Sequence, residues 1–146
     1  MSLKQRLTND LKQAMKDKDQ LRKNVITLIR SDIKQIEVDK RIELEDQDVI
    51  EIISRQLKQR KDALDEFQKG GREDLVAQAQ QEAEILLQYL PEQLSEEEVI
   101  DIVKSVIVEI GANSMQDMGK VMAAVMPKVK GRADGKIVNQ AVKKLL

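Results

Sequence analysis

"LSEEEVIDIVKSVIVEIG", Leu94 to Gly111, is the stretch on which the fold class turns. Val99, Ile100, Ile102, Val103, Val106, Ile107, Val108 and Ile110 give it the β-branched content of a buried strand. Spacing argues the other way. Val99, Ile102, Val103, Val106 and Ile110 follow the i, i+3, i+4 rhythm of one helix face. Ser95 and Glu98 form a capping box, and Leu94 and Val99 occupy the two positions of a hydrophobic staple. Gly111 then supplies the left-handed residue that ends many helices. The stretch is expected to be a capped helix.

Working outward, the same period recurs along the chain. Leu3, Leu7, Leu11 and Met15 mark a first helix; Leu21, Val25, Leu28, Ile29 and Ile36 mark a second. Val49, Ile53, Leu57, Leu64 and Phe67 mark a third, stopped by Gly70 and Gly71. Leu75, Ala79, Ala83, Leu86 and Leu90 mark a fourth, ended by Pro91. Downstream, Ser114 and Asp117 read as a second capping box, opening a sixth helix with Met118, Val121, Met122 and Val125 turned inward. Pro127 disfavours helical angles at Met126, so this helix is expected to stop there. Asp134 caps a seventh, with Val138, Ala141, Val142 and Leu145 as its stripe. The expected fold is all-α: a four-helix domain over residues 1–92, then a small three-helix bundle over residues 93–146, short for an independent core. No internal repeat or low-complexity tract is visible.

Composition agrees. Hydrophobic residues make up 41% and aromatic ones 1%, so the core is aliphatic. The chain has no Cys and no His, which removes disulfides, thiolate metal sites and His-activated nucleophiles. No apolar run approaches the roughly 18 residues of a membrane span, and "MSLKQRLTND" lacks the apolar core of a signal peptide. A cytoplasmic protein with no membrane partner and no cofactor is the expectation.

The formal net charge is only −1, yet charge is sorted along the chain. Residues 112–146 carry seven basic groups against two acidic ones, whereas residues 95–111 carry Lys104 against five acids. On the seventh helix Lys136, Gln140, Lys143 and Lys144 fall opposite Val138, Ala141 and Val142. Lys130, Gly131 and Arg132 lie just before its start, where unpaired N–H groups and the helix dipole attract phosphate. Two readings stand side by side: an anion cradle, or an ordinary capped helix with a solvated lysine face.

"MGKVMAAVMPKVKGRADGKIVNQAVKKLL", Met118 to Leu146, resembles the C-terminal signature of the YqeY-like family. "GGREDL" from Gly70 and "YLPEQLSEEE" from Tyr89 resemble the same family's other marks. From about Ser95 onward the tail is also similar to that of the B subunit of the glutamine-dependent Asp/Glu-tRNA amidotransferases. That resemblance implies a tRNA-associated helical domain, with Lys120, Lys130, Arg132, Lys136, Asn139 and Lys143 as RNA contacts. Gly119, Pro127, Gly131, Asp134 and Gly135 would be the motif's structural positions. It implies tRNA, an amidotransferase or an aminoacyl-tRNA synthetase as partners. It also carries the label of a carbon–nitrogen ligase with glutamine as amido-N-donor, although residues 1–90 have no counterpart of that subunit's catalytic cradle.

The residues themselves point to no catalytic set and no metal site. Ser95 and Ser114 read as caps, and a Ser54–Lys58 pair would sit on a polar helix face. Glu43, Glu45, Asp46 and Asp48 could hold a hard cation or simply favour a helix start. Arg55, Lys58, Arg60 and Lys61 interleave with Asp62, Asp65 and Glu66, which predicts ion pairing within the helix. With Tyr89 and Phe67 as the only aromatics, single-strand binding through base stacking is not the expected mode. Met115, Met118, Met122 and Met126 suit a core or a pliable groove for a partner. The sequence therefore supports an accessory tRNA-associated protein without catalysis of its own, with a helical protein–protein adapter as the alternative.

Overall fold

A computed structural model describes all residues from Met1 to Leu146. It contains seven α-helices and no strand: α1 (Leu3–Lys16), α2 (Gln20–Lys40), α3 (Asp46–Lys69), α4 (Glu73–Leu87), α5 (Glu96–Ile110), α6 (Met118–Val129) and α7 (Gly135–Leu145). A short 3₁₀ turn, Met115–Asp117, precedes α6. The helices gather into two compact units, Met1–Leu90 and Pro91–Leu146.

The first unit packs α1 to α4 around Leu7, Val25, Ile26, Ile29, Val49, Ile53, Leu57 and Leu86, all buried. The expected stripes hold, with two adjustments. Met15 is 55% exposed while Ala14 is buried beside it, and Leu28 is 48% exposed while Ile26 and Ile33 turn inward. Spacing alone cannot fix the edge of a stripe to better than one position. Gly71, at φ +69°, follows the end of α3 as the sequence predicts.

Tyr89 ties the end of this unit to its beginning. Its hydroxyl donates to Asp10 Oδ2 at 2.5 Å, its ring lies 4.8 Å under the Arg6 guanidinium, and Arg6 donates to the Gln88 carbonyl at 2.8 Å. Burial first, and then the Asp10 carboxylate, push the Tyr89 phenol up to about 12. Arg60 departs from expectation: its guanidinium donates to Glu82 on α4 at 2.8 Å rather than pairing within α3. Both side chains are largely shielded there, and helix-to-helix packing outweighs a solvated pair along one helix.

The second unit packs α5, α6 and α7 around Val99, Val103, Val106, Val121, Val125, Val129, Val138 and Val142, each fully buried. The strand-like stretch is a helix because its branched residues fill this core, where packing overrides a small propensity penalty. Its cap forms as read: Glu98 N–H donates to Ser95 Oγ, and Ser95 N–H donates to Glu98 Oε1. Gly111 closes it at φ +70°.

Two expectations fail in α6. Ser114 makes no side-chain cap; Asp117 instead accepts from Asn113 N–H at 3.1 Å, and the 3₁₀ turn leads into the helix. Pro127 lies inside α6, which continues to Val129. Proline in the last turn removes only one ladder bond, and burying Val125 and Val129 holds the chain in register past it.

Candidate nucleic-acid interface

Between α6 and α7 the chain turns at Lys130 (ψ 124°) and Gly131, whose φ of +74° requires a residue without a side-chain penalty. Arg132 and Ala133 N–H groups both return to the Val129 carbonyl, at 2.8 and 3.1 Å. Asp134 adopts an extended N-cap geometry, and its carboxylate accepts from Lys136 N–H at 2.9 Å. Part of the donor set at the start of α7 is therefore already satisfied within the chain.

The same loop is strapped to the segment entering the unit. Leu94 N–H donates to the Arg132 carbonyl at 2.8 Å. Gln93 Nε2 donates to the Gly131 carbonyl at 2.7 Å, and Arg132 Nε donates to the Glu92 carbonyl at 3.3 Å. Arg132 also faces Glu98, whose carboxyl is held below its ordinary value by Ser95 first and by Arg132 to a smaller degree. Half-buried and tied down on two sides, Arg132 serves the fold.

Lys136, Lys143 and Lys144 are exposed on one face of α7, and none has a carboxylate within ion-pair distance. Asn139 is half-buried on the same helix. Lys120 is exposed on the first turn of α6, with Gly119 beside it. Lys130 is half-buried and already has an interaction of its own. Lys128 is the cation that is neutralised, by Glu109 at 3.6 Å. The helix starts differ sharply in charge. Glu96, Glu97 and Glu98 occupy the first turn of α5, whereas α6 and α7 have no acid there and carry Lys120 and Lys136 instead. Cations at a helix start add to the positive end of the dipole. The arrangement can hold anionic oxygens by charge.

The other candidates dissolve into local structure. Ser54 Oγ is buried without a partner and Lys58 points to solvent, so no Ser–Lys pair exists. Asp46 accepts from Leu3 N–H and Asp48 from Glu45 N–H, while Glu43 lies 3.8 Å from Lys4. Among the methionines, Met118 and Met122 pack on the core, whereas Met115 and Met126 are exposed.

The family described as Yqey-like protein matches residues 4–146. A relative from Pyrenophora tritici-repentis, "Altered inheritance of mitochondria protein 41, mitochondrial", is 32% identical over 97% of this chain and 79% of its own length. Proteins of the same name from Lachancea thermotolerans and Saccharomyces cerevisiae are 41% and 36% identical, over 58% and 68% of this chain. The chain spans only 46% and 54% of those two relatives. These names overturn the expectation of a cytoplasmic protein. That expectation rested on the lack of an apolar segment, which cannot tell one aqueous compartment from another. With the family matched from Lys4 to the last residue, the chain belongs to the YqeY-like proteins.

Proposed function

We propose that this protein is an accessory factor that associates with tRNA through its second unit and performs no catalysis of its own. The observation that carries the reading is the face of α7 bearing Lys136, Lys143 and Lys144, exposed and without ion pairs, on a helix whose only acid at the start is the capping Asp134. The resemblance read from the sequence of Met118 to Leu146 to an amidotransferase B-subunit tail is the reason for taking tRNA as the polyanion. With almost no aromatic surface, contact runs through backbone charge and shape. An amidotransferase or an aminoacyl-tRNA synthetase is the kind of partner such a factor would serve.

Arg132 leaves the contact set, because its guanidinium and carbonyl hold the strap. Three or four lysine–phosphate contacts then predict a log–log salt slope of roughly −2 to −4 for tRNA binding. Reversing Lys136, Lys143 and Lys144 to Glu should remove binding, while Arg132→Ala should lower stability and leave the slope unchanged. Affinity unaffected by the triple reversal overturns the proposal.

A second reading rests on other residues of the second unit. Val108, Ile110, Met115 and Met126 are exposed at 82%, 41%, 49% and 38%, which suits a protein–protein adapter. A defined protein partner whose binding is lost on Val108→Lys and Met126→Lys, with tRNA affinity intact, would favour it. The carbon–nitrogen ligase reading that the tail's resemblance implies requires an activated nucleophile, and Ser54 is not one; glutamine-dependent product formation by the purified chain would be needed to restore it.

A further inference from the structure

The first unit holds a concavity lined by residues of α1 and α2. It is a cleft of about 670 Å³ between α1 and α2 in the first unit, within the range of small-molecule sites. Its α2 wall carries Thr27, Arg30, Ser31 and Lys34, spaced i, i+3, i+4, i+7 and thus on one helix face. Leu7 and Ile33 line it with apolar surface. Its one carboxylate, Glu37, is already engaged, accepting from Lys4 Nζ at 2.5 Å and from Leu44 N–H at 2.8 Å. Those contacts, led by Lys4, hold the Glu37 carboxyl below its ordinary value.

Arg30 and Lys34 therefore face the cleft as like charges four residues apart, an unfavourable pairing along a helix. Neither has a carboxylate within ion-pair distance. A planar guanidinium next to an ammonium suits a phosphate dianion, with the Arg taking two oxygens and the Lys a third. The Ser31 hydroxyl, which has no partner of its own, can donate to the same group. Thr8 and Thr27 cannot, because they already donate to the Lys4 and Lys23 carbonyls. Leu7, Ile33 and the alkyl stems of the cations leave room for a non-polar body.

We infer that the α1–α2 cleft is a binding site for a small organic phosphate, its dianion on Arg30, Lys34 and Ser31 and its apolar part toward Leu7 and Ile33. The test is an amide-shift titration of the full chain with phenyl phosphate and, separately, with inorganic phosphate. Saturable shifts confined to residues around Thr8 and Thr27–Lys34, tighter for phenyl phosphate, are expected. Arg30→Gln with Lys34→Gln should weaken binding by about tenfold or more, the loss of at least one charge-assisted contact, with the thermal midpoint unchanged or raised. Three results would overturn the inference: shifts scattered over all lysines and tracking ionic strength, equal binding by the double variant, or cleft signals that respond to protein concentration alone, which would mean a second copy covers it. Tyr89 absorbance, unchanged in the double variant, verifies that the unit is folded.

Discussion

Replacing Tyr89 by Phe removes one oxygen and leaves the ring, with Arg6 still above it at 4.8 Å. What is lost is a 2.5 Å hydrogen bond to Asp10, whose remaining contact would be Arg22 at 3.7 Å. A hydrogen bond to a charged acceptor contributes about 1.5–3 kcal/mol, so the first unit should lose about that much at neutral pH. The pH dependence gives an independent measure. Tyrosine ionises near pH 10 when unfolded and at about 12 here. A group whose proton is held more tightly in the folded state stabilises it fully below the unfolded value. That contribution falls as pH rises from about 10 to 12, by roughly 2–3 kcal/mol in all. The Phe variant lacks it, so the stability gap between the two proteins should be constant up to pH 10 and close above it. Since this is the chain's only tyrosine and there is no tryptophan, tyrosinate absorbance follows the group directly, beside urea unfolding by circular dichroism. A native midpoint near 10, or a gap indifferent to pH, would refute the account of this corner.

Pro127→Ala restores a ladder bond and a better helix former in the last turn of α6; against the looser unfolded chain, a net gain of about 1 kcal/mol is expected by thermal unfolding. A loss would mean that α6 ends at Met126 after all. Ser95→Ala should cost about 1 kcal/mol in urea unfolding of the second unit. Because the Glu98 carboxyl is held low by Ser95, its part of the cap is present above the ordinary carboxylate range and fades as pH falls. The variant keeps the Ser95 N–H, the larger cause of that lowering, and loses only the hydroxyl, so its acid limb should be slightly flatter than the parent's.

The helices could be read because each carries a local, repeated signal: Leu7 and Ile53 sit where the period puts them, and Ser95, Gly111 and Asp134 cap where their chemistry suggests. Pro127 was misread because a rule about neighbouring dihedrals carries no information on Val125 and Val129, whose burial decides the matter. The bonds that Arg132 makes within the chain were equally opaque. A cation beside a helix start looks the same on paper whether it meets solvent or the Glu92 carbonyl, and Glu92 and Gln93 belong to no periodic pattern. The α1–α2 cleft had a faint signal in Thr27, Arg30, Ser31 and Lys34, a polar face of α2 whose one acid is Glu37. Only the fold shows that this face lines a hollow and that Glu37 is taken by Lys4.

In a protein built from helices, almost every backbone hydrogen bond closes within its own turn. Leu94 is the exception. Its N–H reaches the Arg132 carbonyl, in the one backbone-to-backbone bond that joins residues far apart in sequence. Deuterium uptake at that single position should keep pace with disassembly of the α5–α7 core as a whole, so it separates breathing from true opening.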